Sequence, residues 1–379
     1  MTTSVPNDQL CLLDAIAKND TESVHFLIFG RRVCPNFVLN GQSPVVIASQ
    51  NGREDILDIL LESHCDLTIQ DFTDTTWRKC PIHIAAAKGY IGFVKKLIDN
   101  GVAVSSLDVE LKTPLHWAAL FGHVCVIEYL ISVGASVNAT QIDGFTSLHC
   151  SAALDQDNAC KTLLAKGAYP NTIDEDGWTP LHHASAYGHY SVVKTLQKAG
   201  ASVAIKTPGG DNALHIAACT SSKNKIELLR FLVENKVPIN EKDGCGYTAV
   251  HIACFHNIYD NVKCLIELGA ILNTKDYYGD SPMFSAACAY GSQDIISLLI
   301  KSGYNCSQEM WIHEERFPIA LANNISLVST LRFCASNTRT LQELCCFCVL
   351  KHINRHSNSK INNLPIPTSL KLFLKQIIQ

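Results

Sequence analysis

The sequence predicts an all-α solenoid. Short helix-turn-helix units joined by β-hairpins stack in a row, and a small helical segment follows at the C-terminus. Three observations predict this. A four-residue pattern recurs at a step close to 33 residues. The recurrences are followed by two apolar helical stretches, and several of them by a closing glycine. The pattern stops after Ala335, and two new apolar stripes begin there.

The recurrences set the elements in order. Thr113-Pro114-Leu115-His116 returns as Thr146-Ser147-Leu148-His149 and Thr179-Pro180-Leu181-His182, both at steps of 33. Upstream lie Cys80-Pro81-Ile82-His83 and Ser43-Pro44-Val45-Val46. Downstream lie Asn212-Ala213-Leu214-His215, Thr248-Ala249-Val250-His251 and Ser281-Pro282-Met283-Phe284. A weaker first copy covers Leu10 to Phe29, and a degenerate last one surrounds Phe317 to Ala322. A step of 37 inserts residues near Asp74 to Arg78, and a step of 36 inserts them near Ser221 to Lys223. Both read as surface insertions, either a contact point or padding; padding is favoured because loops accept it at small entropic cost.

Each unit has a readable physical logic. Threonine or serine caps the first helix through its hydroxyl. Proline follows where a missing N–H is no loss. Small pairs such as Ala118-Ala119 and Ala217-Ala218 let helices approach closely. The second helix shows in the spacing of Val126, Ile127, Leu130 and Ile131. Gly134, Gly167, Gly200 and Gly269, each before alanine, supply the left-handed turn that stops it. Asp108, Asp174, Asp243 and Asp276 open the hairpins and are expected to satisfy backbone donors there. One unit cannot bury both faces, so neighbours form the core. On these residues the chain resembles an ankyrin-repeat array over residues 1–335, about ten repeats with degenerate ends.

Composition agrees and excludes several alternatives. The 379 residues are 47% hydrophobic and 17% charged, against about 25% charged in ordinary domains. That is too apolar for disorder. A net charge of −4 argues against a nucleic-acid-coating role. Seventeen cysteines in a long chain do not form a secreted disulfide scaffold and are expected to be small core residues in a reducing compartment. Residues Met1 to Leu10 do not look like a signal peptide, and no apolar run suits a membrane span.

The tail, residues 336–379, is different. A helix over 340–350 places Leu341, Leu344, Cys345, Cys348 and Val349 on one stripe. After a polar run, Ile361-Asn362-Asn363-Leu364-Pro365-Ile366-Pro367 is extended because of its prolines. A short helix then carries Leu370, Phe373 and Leu374, so this second segment covers 361–375. The tail resembles a SOCS box. Thr340, Leu341, Cys345 and Val349 match the family's elongin-binding half. Ile361, Leu364, Pro365, Ile366, Pro367, Leu370, Phe373 and Leu374 match its cullin-binding half. One departure is Cys346, Phe347 and Cys348, which stand where the family often has basic residues. The whole chain resembles the ankyrin repeat and SOCS box family.

That resemblance implies recruitment without bond chemistry. Leu341, Leu344, Cys345 and Val349 would contact elongin C, which travels with elongin B. Ile361, Leu364, Pro365, Ile366, Pro367 and Leu370 would contact cullin-5, whose RING partner brings the charged ubiquitin-conjugating enzyme. The array would hold the substrate protein, leading to its ubiquitination and proteasomal degradation. Proximity is then the whole contribution. The expected location is the cytoplasm, with the nucleus as a further site. No cofactor or metal is implied, and neither nucleic acid nor a membrane is expected as a partner.

Substrate contact is expected at hairpin tips and on the exposed side of the first helices. The candidates are Glu110, Phe121, Asp143, Glu175, Asp176, Trp178, Tyr187, Asp211, Tyr247, His256, Tyr277, Tyr278 and Asp280. Six are acids, against Lys112 as the one tip base. An acidic, aromatic surface of this kind suits a basic segment.

Chemistry-bearing residues elsewhere have plainer explanations. His83, His116, His149, His182, His215 and His251 share one repeat position and are spread along the stack, so they are expected to tie hairpin to helix rather than bind metal. Cys345-Cys346-x-Cys348 lacks zinc spacing. Cys254 and His256 lie on a repeat helix without an orienting group. The rival to a ligase adaptor is a plain ankyrin scaffold or inhibitor whose tail caps the array. Two apolar stripes in the tail favour a partner over a cap.

Overall fold

The computed structural model describes residues 5–73, 78–289, 292–322 and 324–336. The chain divides into two compact units, residues 1–208 and 209–379. The first holds α1 (Val5–Lys18), α2 (Thr21–His25) running into one π-turn at Phe26–Gly30, α3 (Pro44–Asn51) and α4 (Glu54–Glu62). It continues with α5 (Pro81–Lys88), α6 (Ile91–Asp99), α7 (Pro114–Leu120), α8 (Val124–Ser132), α9 (Ser147–Ala153), α10 (Asp157–Ala165), α11 (Pro180–Tyr187) and α12 (Tyr190–Lys198). First helices stack in the order α3, α5, α7, α9, α11, and second helices in the order α4, α6, α8, α10, α12.

The second unit holds α13 (Ala213–Ala218), α14 (Lys225–Glu234), α15 (Ala249–Phe255), α16 (Tyr259–Glu267), α17 (Pro282–Ala289) and α18 (Gln293–Lys301). A 3-10 turn at Cys306–Gln308 leads to α19 (Met310–His313), α20 (Ile319–Ala322) and α21 (Ile325–Ser336). The same stacking runs through α13, α15, α17 and through α14, α16, α18.

Burial differs between the two helices of a unit. The first is enclosed: Pro114 to Ala119 of α7 are all buried. Its neighbours cover every face, so the alanine pairs sit where backbones come close. The second is amphipathic and buries one stripe, as with Val126, Ile127 and Leu130 in α8 or Phe93, Val94 and Leu97 in α6. A fully enclosed Phe93 contributes about 1.5–3 kcal/mol of burial.

The hairpins differ from expectation. Among the described residues no strand forms, and only two isolated bridges occur, Leu39 with Gln42 and Thr140 with Thr146. Turn bonds within each hairpin replace a ladder. Asp174 N–H donates to the Trp178 carbonyl at 2.9 Å, and Gly177 N–H to the Asp174 carbonyl at 3.0 Å. One bond joins successive tips, as from Glu175 N–H to the Asp143 carbonyl at 3.1 Å.

The repeated histidine does more than tie hairpin to helix. Thr113 N–H donates to His116 Nδ1 at 3.2 Å, closing a capping box. His116 Nε2–H then donates to the Phe145 carbonyl of the next unit at 3.2 Å. His83, His149, His182 and His215 repeat the scheme toward Ser106, Trp178, Ile205 and Glu241. Each imidazole therefore locks its own helix start and the adjoining hairpin. Burial holds His116, His149 and His251 down at about 4, so they are neutral near pH 7.

The helix-ending glycines are left-handed as expected, with φ of 100° at Gly134, 89° at Gly167, 91° at Gly200 and 91° at Gly269. A Cβ there would meet nothing within 4 Å, so the backbone angle alone selects glycine. His64 (φ 56°) and Lys236 (φ 67°) occupy the same place in their units and carry the strain.

The cysteine expectation needs correcting. Fourteen cysteines are described, all as free thiols. Cys65, Cys150, Cys160, Cys254, Cys264 and Cys306 are buried. Cys11, Cys34, Cys125, Cys219, Cys245 and Cys288 are exposed. Core filling therefore accounts for less than half of the described set.

Candidate partner-binding surface

The hairpin aspartates build the local frame. Asp108 Oδ1 accepts from the Glu110 and Lys112 N–H groups at 2.9 and 2.8 Å, and its Oδ2 accepts from Trp117 Nε1 at 2.9 Å. Asp174 Oδ1 accepts from Trp178 N–H at 2.7 Å, and its Oδ2 faces His183 Nε2 at 2.7 Å. Asp243 and Asp276 likewise hold two N–H groups each. These carboxylates face inward and set the shape of each tip. The residue nine positions on, Trp117 or His183, binds the second oxygen and fixes hairpin to helix.

In the first unit the candidates separate into two groups. Asp143, Glu175 and Asp176 are exposed at tips. Phe121 and Tyr187 stand at the ends of α7 and α11, 48% and 58% exposed. Phe121 stacks on Trp117 with centroids 6.3 Å apart, and Tyr187 stacks on His189 at 5.8 Å. Trp178 is half-buried against His182 and His183, so much of its ring goes into packing. Glu110 is half-buried and pairs with Lys112 at 2.8 Å. Lys112 is not a tip base: it is 8% exposed, and it neutralises one acid of the set.

In the second unit Tyr277 and Tyr278 are 68% and 78% exposed. Lys242 Nζ lies 5.3 Å from the Tyr277 ring centroid. Tyr247 is half-buried on His251. His256 is exposed beside Phe255 at the end of α15. Asp211 and Asp280 are half-buried. Burial, then Asp276 and Glu309, push the Asp280 carboxyl up, so a cation placed there would relieve it.

Two features escaped the sequence reading. Leu154 closes α9 at the position equivalent to Phe121 and Tyr187 and is 46% exposed; counting eight residues from each N-cap would have found it. The hairpin asparagines join units: Asn138 Nδ2 donates to the Gly167 carbonyl at 3.1 Å, and its Oδ1 accepts from Tyr169 N–H at 3.0 Å. Asn171 repeats this with Gly200 and Ser202.

The SOCS-box candidates Leu341, Leu344, Cys345, Val349, Ile361, Leu364, Pro365, Ile366, Pro367 and Leu370 lie outside the described residues. Among the described residues no helix is long and apolar enough to cross a membrane. No group of three or more His, Cys, Asp or Glu residues there could hold a metal.

Comparison with known proteins supplies the family. The description "Ankyrin repeats (3 copies)" matches residues 70–141, 139–207 and 214–310, and "Ankyrin repeat" matches 40–72. "SOCS box" matches 337–375. Human ankyrin repeat and SOCS box protein 11 is 30% identical over 148 residues, 39% of this chain and 45% of that protein. The Variola virus ankyrin repeat protein OPG189 is 36% identical over 73 residues, 19% of this chain and 13% of that one. The crystal structure of the human ASB11 ankyrin repeat domain superposes with a TM-score of 0.52 at 25% identity, covering 58% of this chain and 97% of that one. The alignment thus spans less than half the length of the human relative. With ankyrin repeats matched across most of its length and a SOCS box behind them, the chain belongs to the ankyrin repeat and SOCS box family.

Proposed function

We propose that this chain is the substrate-recognition subunit of an elongin B/C–cullin-5 RING ubiquitin ligase, acting as a non-catalytic adaptor in the cytoplasm. The observation that carries the reading is the SOCS box matched at 337–375 directly behind the array, with both half-motifs in order. Leu341 and Cys345 are the anchors for elongin C, with Leu344 and Val349 on the same stripe. A few apolar anchors in a groove supply most of such binding energy. Ile361, the Leu364-Pro365-Ile366-Pro367 core and Leu370 take cullin-5. The array holds the substrate so that its lysines meet activated ubiquitin at high effective concentration.

The test is co-purification of full-length chain with elongins B and C and cullin-5. Deleting 364–367 is expected to release cullin-5 and keep the elongins. Retention of cullin-5 by the deletion would show that the cullin segment is misassigned. Failure of the wild-type chain to bring down either the elongins or cullin-5 would return it to the scaffold reading.

A further inference from the structure

The first unit carries a regular apolar ladder. Phe121, Leu154 and Tyr187 each stand eight residues after the N-cap threonines Thr113, Thr146 and Thr179, at steps of 33. They are 48%, 46% and 58% exposed, while the residues before them in each helix are mostly enclosed. α7, α9 and α11, which present these rungs, pack side by side. Packed helices lie about 8–10 Å apart, so the rungs repeat at about that spacing.

That spacing selects a ligand conformation. Residues at i, i+7 and i+14 of an α-helix lie on one face about 10.5 Å apart, from a 1.5 Å rise. An extended strand covers about 10 Å in three residues, but residues three apart point to opposite faces. A helix can therefore put apolar side chains on all three rungs, and a strand cannot.

Charge sets the ligand's flank. Asp143, Glu175 and Asp176 are exposed at the tips preceding α9 and α11, and no ion pair to them is seen among the described residues. Lys112, the base in the preceding hairpin, is engaged with Glu110. From N-cap to rung is eight residues of helix, about 12 Å, close to the 10–12 Å diameter of an α-helix. A helix lying between the rungs and the N-caps fills that distance, with its apolar side on the ladder and its other flank toward the acidic tips.

Resting on the substrate-receptor reading, we propose that this face docks an amphipathic α-helix of the substrate, with apolar residues at heptad spacing and arginine or lysine on the adjoining flank. The experiment uses full-length chain with elongins B and C bound. The probe is a labelled, alanine-rich peptide of about eighteen residues, with leucines at i, i+7 and i+14 and arginines on one flank. It is compared with an isomer whose leucines are dispersed around the helix and with a glutamate-for-arginine version. We expect the matched peptide to bind at least roughly tenfold more tightly than either control by anisotropy. L154A and the E175K/D176K pair should each lose roughly fivefold or more. Equal binding of the dispersed isomer, or unchanged binding by E175K/D176K, overturns the proposal. If L154A does not fold, the peptide comparison and the charge variant still decide. Elongin retention is read in the same samples. Peptide failure with elongins retained sinks this inference alone, and elongin loss with peptide bound sinks the ligase reading alone.

Discussion

His149 and Trp178 join adjacent repeats: the imidazole Nε2–H donates to the tryptophan carbonyl at 3.2 Å across 29 residues of sequence. The other ring nitrogen, Nδ1, accepts from the Thr146 N–H at 3.1 Å. Both bonds need the neutral ring with its proton on Nε2, because a protonated Nδ1 could not accept.

Acid is therefore expected to weaken the array through these rings. Burial lowers His116, His149 and His251 from 6.5 to about 4. Above pH 6.5 neither the folded nor the unfolded ring is charged, and their contribution is complete. As pH falls toward 4 the unfolded chain binds protons that the folded one refuses, so stability declines across that window and levels off below it. The loss is about 3 kcal/mol per ring at most. Thermal melts from pH 7 to 4 should show a falling Tm with most of the drop below 6.5. A flat Tm over this range would contradict the account.

Glycine should be preferred at two places where the chain lacks it. His64 and Lys236 hold the left-handed conformation that glycine adopts freely. H64G and K236G are each expected to stabilise by about 1 kcal/mol. Urea midpoints would check this, and a destabilisation in both would show that the side chains contribute contacts outweighing the strain.

Asp108 holds a whole hairpin. D108A strands the Glu110 and Lys112 N–H groups and the Trp117 indole N–H, at about 1–3 kcal/mol for each buried donor left unmade. D108N keeps an acceptor and should cost clearly less. Equal unfolding midpoints for D108A and wild type would refute the hairpin role.

Much of this was legible in the sequence because the period repeats the same physics. The Thr-x-x-His spacing places a ring nitrogen at the N-cap, and the Gly-Ala step marks the left-handed stop. What repeats imperfectly was harder to see. Lys112 reads as a surface base, but its ammonium lies 5.3 Å from the Trp117 ring centroid and 2.8 Å from Glu110, contacts no spacing announces. Trp178 reads as a tip aromatic, yet two histidines from one helix pack against it. Leu154 was overlooked because leucine at an unremarked position looks like core, whereas its neighbours in register show it to be a rung. The hairpins read as β because their turn residues fit, but one bond between successive tips is too few for a ladder.

The central claim is recruitment through the SOCS box, and elongin co-purification tests it most directly. Full-length chain carrying Leu341→Ala and Cys345→Ala should fail to bring down elongins B and C, while its thermal melt stays like that of wild type. Elongins recovered in undiminished amount with the double variant would contradict the account.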